Sequence, residues 1–483
     1  MQSLAQLCES ARARRRVSDL TFDHQARSED RQRTQPQLSR IAIISLKVNM
    51  TIPSGAQSPA VSPPVSSLPA DWRVDRMTPP ELIPITDLAS ATRLAIEHPL
   101  ASMPLADLCG PGTRVCIAID ALREPQLSVL RNVLDAVLAQ GVDANDMVVL
   151  APAGENADAD LPVLVIVHDP TDLRAVNDLG VFEGVPIRVN HYAAEADVLL
   201  GLSAQRLEEA VLHTGSDTTI THWLSTAVTQ SELRSTLYLD DRLRPQSAGE
   251  GLYDRVMREG ARRAGLVFVI DALLDEGGHV IAIRAGTPQA VNRELGMISH
   301  SARDTATEGA YDIVIADAGT NSLYRASQTA IRIGLAPDSA LQRGGVLVLP
   351  MAQAEANEPA SNDTPEAYDF YEALSSGSNT EEVIQLLSRR ALAPGEDRAY
   401  LLAHVLQRNP IIAVGLRESD QARHVISVRN ISEAAELAET FIGHRPRTLF
   451  LPRALSAVPV NTRTAASEAD DALVNELLRD LDI

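Results

Sequence analysis

The apolar positions of this chain change period along its length, and the changes predict alternating strands and helices. From Arg114 to Asp120 (RVCIAID) the apolar run is nearly continuous and stops on an aspartate, as strands buried on both faces of a parallel sheet do. Pro125 then opens a helix. Leu127, Leu130, Val133, Leu134, Val137 and Leu138 share one face of it, and Gly141 ends it. Short apolar segments at Met147–Leu150, Val163–Val167, Ile187–Val189 and Asp197–Leu202 predict further strands. The alternation implies an α/β fold with a doubly wound, mostly parallel sheet over residues 72–248. A second α/β unit is expected over 249–460, with a ligand cleft between the two. It opens with a helix at Tyr253–Ala264 and a hairpin: Leu266–Leu274, a turn at Glu276-Gly277-Gly278, and a return along His279–Arg284. Strands at Asp312–Ala316, Val346–Leu349 and Ile411–Val414 follow.

Three stretches fall outside this pattern. Residues 1–71 read as a disordered tail: Arg12 to Arg16 holds four arginines, and Ser54 to Pro69 is rich in Pro, Ser and Ala. A start at Met50 would leave 1–49 outside the natural product. The acidic stretch Glu355–Glu366 reads as a surface insertion. The end, 461–483, reads as an acidic amphipathic tail, with its helix at Glu468–Leu481.

Charge narrows the function classes. The formal net charge is -21, from 64 acidic and 43 basic residues, which opposes binding to nucleic acid or an anionic membrane. Aromatic residues make up 3%, too few for base- or sugar-stacking platforms to dominate. An anionic ligand would need a local cation. The cysteines, Cys8, Cys109 and Cys116, are odd in number and form no C-x-x-C pair, so they support neither a disulfide framework nor a thiolate zinc site. No apolar run has the length of a membrane span, and a cytoplasmic location is expected. Lys47 is the sole lysine. Chemistry that needs a lysine nucleophile or anchor in the folded body is therefore closed.

Open α/β sheets bind ligands beyond the carboxyl ends of their strands, and four exits carry usable chemistry. At the first, Arg123 could clamp a carboxylate bidentately and Asp120 could orient it, or Asp120 is a helix cap beside a surface arginine. At the second, Ala151–Asn156 (APAGEN), Gly154 permits close backbone approach and Asn156 offers an amide, or the segment is a turn. At the third, His168-Asp169 could do acid–base work or form a capped turn. At the fourth, Asp317–Ser322, free N–H groups at a helix start would suit a carboxylate, or the residues are an ordinary N-cap. His213, Asp217 and His222 (H-x3-D-x4-H) have metal-ligand chemistry at a spacing that matches no known helical metal motif. No nucleotide-binding glycine motif occurs.

Taken together, these segments resemble the nickel-pincer lactate racemase family (LarA-like) from about Pro84 to Val460. The resemblance is carried by Ile96-Glu97-His98-Pro99-Leu100, Asp120-x-x-Arg123, His168-Asp169, Val189-Asn190, Glu195-Ala196-Asp197, Ala285-Gly286-Thr287-Pro288 and Tyr311–Gly319. It implies a two-domain α/β fold. In the family, a pyridinium-derived nickel cofactor is attached to a lysine, nickel is bound through histidine, and 2-hydroxy acids are racemised by hydride transfer. Two further histidines act as acid and base. Here the family's Asp-x-Thr-Arg-Pro is Asp120-Ala121-Leu122-Arg123-Glu124, and Asn156 stands where the first acid/base histidine belongs. An amide takes no proton from a hydroxyl at neutral pH. The long glycine-rich family element aligns with Glu208–Thr218. This puts Glu208 at the second acid/base histidine, Thr218 at the cofactor lysine, and Arg234 near the nickel histidine. The family's Tyr-Gln-x-x-Lys is Tyr324-Arg325-Ala326-Ser327-Gln328, so Tyr324 and Gln328 join Asp120, Arg123 and Asn156 as expected ligand contacts.

Three functions are compatible with this pattern. The first is a divergent member, non-racemising and without cofactor, that keeps a cleft for a small carboxylate or 2-hydroxy acid. The second is an active isomerase using a non-covalently held pincer or a metal at His213, Asp217 and His222. The third is a regulatory or scaffold subunit that pairs with a protein partner or an active paralogue.

Overall fold

The computed structural model describes residues 68–206, 215–235, 239, 251–336, 339–352, 364–455 and 457–461. Glu208 and His213, most of the acidic stretch 355–366, almost all of the N-terminal 1–71 and the helix expected at 468–481 lie outside them.

Two six-stranded sheets organise the chain. The first runs in the order β4 (Leu164–Val167), β3 (Met147–Ala151), β2 (Val115–Ile119), β7 (Val198–Arg206), β8 (Leu266–Leu274), β9 (Val280–Gly286). All its pairings are parallel except β8 with β9. The second runs β1 (Arg73–Arg76), β15 (Arg447–Leu451), β11 (Tyr311–Ala316), β12 (Leu341–Pro350), β13 (Ile411–Val414), β14 (Ile426–Val428), parallel throughout. A two-stranded hairpin, β5 (Val176–Phe182) with β6 (Val185–Asn190), and a parallel pair, β10 (Asp304–Thr307) with β16 (Val458–Asn461), complete the strands. The longer helices are α1 (Leu88–Glu97), α2 (Gln126–Leu138), α3 (Ala227–Leu233), α4 (Leu252–Ala264), α5 (Pro288–Arg303), α6 (Leu323–Leu335), α7 (Pro365–Ser375), α8 (Thr380–Leu387), α9 (Glu396–Arg408) and α10 (Ile431–Ile442).

Strand β2 shows why its run is unbroken. Successive side chains point to opposite faces of a sheet. Val115, Ile117 and Ile119 enter one apolar cluster with Leu130, Val133 and Val137 of α2, while Cys116 and Ala118 enter another with Val256 and Met257 of α4. Burial pushes the Cys116 thiol up to about 12, so it behaves as a small apolar side chain. Strand β11 repeats the scheme, with Ile313 and Ile315 packed toward α10 and Val314 and Ala316 toward α6, α7 and α9. Both faces of both sheets are covered, as a parallel sheet requires.

The boundary expected at residue 249 differs from the strand pairing. The hairpin β8–β9 forms as its turn residues predict, but β8 pairs along its length with β7 and extends the first sheet. Helix α5 packs on both hairpin strands. Conversely, β1 pairs with β15 and belongs to the second sheet. Strand pairing is decided by tertiary contact between distant segments, and local composition carries no record of it.

Candidate functional site

The exits of β2 and β3 are built from local bonds. Asp120 Oδ2 accepts from Ala204 N at 2.9 Å and its Oδ1 from Gln126 Nε2 at 3.3 Å, so the carboxylate ties the end of β2 to β7 and α2. Arg123 is 65% exposed and its Nη1 lies 3.4 Å from Glu155 Oε1. Glu155 Oε2 in turn accepts from Leu122 N at 2.8 Å. Asn156 is exposed and its Oδ1 accepts from Asp158 N at 3.0 Å, the geometry of an Asx turn. At the exit of β11, Ser322 caps α6 by accepting from Arg325 N, and Gly319 N donates to Asp317 Oδ1 at 2.9 Å.

At the third exit the capped turn forms: Asp169 accepts from Thr171 N and Oγ1 at 2.8 and 2.7 Å. His168 is buried, with Nε2 at 2.8 Å from Ser225 O and Nδ1 at 3.1 Å from Asn190 Nδ2. A carbonyl can only accept, so Nε2 carries the proton and Nδ1 accepts from the amide. Desolvation holds the imidazole pKa below its ordinary value, and the ring stays neutral.

A second group lies on the segment that follows β7. Gly215 extends the backbone into a short turn at Ser216–Thr218, and a single π-helical turn follows at Thr219–Trp223. Such turns recur at functional sites. Ser216 Oγ donates to Asp271 Oδ1 at 2.5 Å, and Asp271 is wholly buried in the middle of β8. Its pKa is raised to about 6, chiefly by desolvation, against the pull of the Ser216 and Ser203 hydroxyls. Asp217 accepts from Thr218 N at 3.0 Å and from Asn292 Nδ2 at 3.4 Å. Thr218 is buried and carries no amine.

His222 sits at the centre of a third group. Arg234 Nη1 lies 3.1 Å from its Nε2, and Tyr253 Oη lies 3.0 Å from its Nδ1. A guanidinium only donates, so Nε2 is the acceptor and Nδ1–H donates to the phenol oxygen. The ring stacks on Trp223 with centroids 4.5 Å apart. Burial, with Arg234 beside it, pushes the imidazole pKa down to about 3. His222 and Asp217 thus engage different partners, and His213, the third residue of that candidate set, lies outside the described residues. Among the described residues, no three His, Cys, Asp or Glu side chains come together as a metal would need.

Across from this group stand residues of the second unit. Asp397, at the start of α9, is close enough for its charge to act on both Arg234 and Tyr324. Arg398 lies over the Tyr324 ring at 4.1 Å and donates through Nη1 to Tyr324 O at 3.1 Å. Phe370 meets the same ring edge-on at 5.4 Å. Gln328 lies one turn further along α6, half-buried. The structure thus brings Arg234, His222, Asp397 and Tyr324 into one neighbourhood. Of these, the sequence pattern itself marks His222, while Tyr324 and the place of Arg234 follow from the family resemblance alone. Sequence reasoning missed Asp271, Tyr253 and Asp397. Asp271 did leave a signal, a carboxylate inside the apolar run LVFVIDALL.

Comparison of the whole arrangement with solved structures gives a match to the lactate racemase apoprotein from Thermoanaerobacterium thermosaccharolyticum. The TM-score is 0.66 at 17% identity, over 81% of this chain and 96% of that one. This chain has the lactate racemase fold. A protein from Thermotoga maritima is also similar, with a TM-score of 0.51 at 11% identity over 74% of this chain and 95% of that one. No protein-family model and no curated protein sequence matches. At these identities the lactate racemase likeness establishes the architecture, and chemistry has to be argued from the side chains. No helix among the described residues is long and apolar enough to cross a membrane.

Proposed function

We propose that this chain uses the lactate racemase fold to bind a small carboxylate, a 2-hydroxy acid by class, without racemising it. One observation carries this reading: His168 and His222, the two described histidines at the candidate site, each have both ring nitrogens engaged by protein partners. Abstracting the proton of a substrate hydroxyl needs a base with a free lone pair within hydrogen-bond reach. On His168, the unprotonated nitrogen is held by Asn190; on His222, it is held by Arg234. Asn156 offers only an amide.

The residues at the cofactor positions do not fit a lysine-tethered nickel group. The side chain at the tether position, Thr218, is a buried hydroxyl, and the sole lysine, Lys47, lies far upstream in the sequence. Near the nickel-ligand position, Arg234 presents a cation, which would repel a metal ion. What remains near His222 is a cationic donor and phenol and hydroxyl groups, chemistry suited to an anion with an adjacent hydroxyl.

The test is a thermal-shift titration with D-lactate, L-lactate and glycolate, combined with chiral analysis of the recovered acid. Stabilisation that grows with acid concentration, with each enantiomer recovered unchanged, is the expected result. Absence of stabilisation by every acid, together with co-purification of a protein partner, would favour a scaffold role instead.

A further inference from the structure

The cation best placed to hold an anion in this fold is one that has no carboxylate of its own. Among the described residues, the candidate arginines differ sharply in this respect. Arg123 has Glu155 at 3.4 Å. A separate cavity of about 390 Å³ is lined by Arg255, Arg258 and Arg262, but Arg255 is paired with Glu183 at 3.1 Å and Arg262 with Glu259 at 2.7 Å. Arg234 is half-buried and forms no ion pair; its one side-chain hydrogen bond is to the neutral ring of His222. Its Nε is shut off from water and has no acceptor. A desolvated guanidinium in this state is costly, and an anion would offset that cost.

The geometry of the fork indicates how. Nη1 is spent on His222, which leaves Nε–H and Nη2–H, the two parallel donors that grip a carboxylate side-on. His222 cannot turn away easily, because Tyr253 and Trp223 fix its other edge and its face. Trp223 is 39% exposed and offers an apolar surface beside the fork. Because Nε is covered in this conformation, a ligand that takes both donors must displace what lies over it.

We infer that Arg234, oriented by His222, is the carboxylate anchor of the cleft, in place of Arg123. Asp397, whose charge acts on Arg234, would repel a second negative charge on the ligand, which favours monocarboxylates over dicarboxylates. The inference rests on the small-carboxylate reading above.

Isothermal titration of the full chain with D-lactate, L-lactate, glycolate and malate tests it, using wild type, Arg234→Gln, Arg234→Lys and Arg123→Gln. Gln keeps a donor for His222 and removes the charge; Lys keeps the charge and removes the fork. Arg234→Gln is expected to weaken lactate binding at least about tenfold, Arg234→Lys by less, and malate to bind wild type more weakly than lactate. Equal lactate affinity in wild type and Arg234→Gln, or a loss confined to Arg123→Gln, would overturn the anchor and leave the carboxylate reading standing. No binding of any acid by wild type would overturn both. Circular dichroism accompanies each variant. If both Arg234 variants unfold the protein, the residue is structural and the inference fails.

Discussion

At the exits of β2 and β3, Arg123 and Glu155 lie 3.4 Å apart near solvent, and each charge is answered by its neighbour. Beyond β7, Arg234 meets a neutral imidazole, and its nearest described carboxylate influence, Asp397, comes from the other unit without forming an ion pair. The same side chain thus appears once in a solvated setting that costs little and once in a desolvated one that costs more. Surface pairs contribute about 0–1 kcal/mol, whereas a buried charge without a partner costs several kcal/mol. The first region could change with small consequence. The second persists against a standing cost, which is the physical reason to assign it a role.

The largest effect is expected from disturbing the packing that holds the second region in place. A Cβ on Gly201 would sit inside the Ser216 side chain, which is itself pinned to Asp271. Gly201→Ala should cost about 1–3 kcal/mol by overpacking and shift the denaturant midpoint accordingly. A midpoint equal to wild type would mean that the turn at Ser216–Thr218 is loosely seated. Next in size, His222→Leu strips partners from buried Tyr253 and Arg234, with an expected loss of about 1–3 kcal/mol measured by urea denaturation.

A smaller effect separates the regions by pH. Asp271 has its folded pKa raised from 3.8 to about 6, so the folded state holds that proton more tightly than the unfolded chain. The resulting stabilisation is fully present below about pH 4 and is lost as pH rises through about 6. Asp271→Asn should remove this component, so that the variant gains on wild type by a few degrees in Tm between pH 5 and pH 8. Parallel Tm curves would contradict the assignment. Smallest of all, Arg123→Gln should change stability by less than about 1 kcal/mol, and the change should fade with added salt.

Much of the framework was legible in the sequence because it rests on local rules. The apolar run at 114–120, the helix after Pro125 and the Glu276-Gly277-Gly278 turn all form where periodicity and turn chemistry put them. Sheet membership was not legible, since nothing local tells β8 to pair with β7. The site divided along the same line. Asp120, Arg123 and Asn156 sit at strand ends that the pattern identifies, and they engage near neighbours. Of the two readings of His168-Asp169, the capped turn is the one that forms: Asp169 accepts from Thr171, and the partners of the His168 ring, Asn190 and Ser225, come from distant segments. Tyr253 and Asp397 reach the site from 31 and 163 residues beyond His222 and Arg234 respectively, contacts that only folding creates.

On the proposed reading, this chain of lactate racemase fold holds a small carboxylate without racemising it, because among the described residues His168 and His222 have both ring nitrogens engaged. The most direct test is chiral chromatography of L-lactate incubated with the full chain, purified from cells that also make the pincer cofactor. D-lactate is expected to stay at the level of the no-protein control. Steady accumulation of D-lactate toward an equal mixture, in proportion to protein added, would contradict the reading.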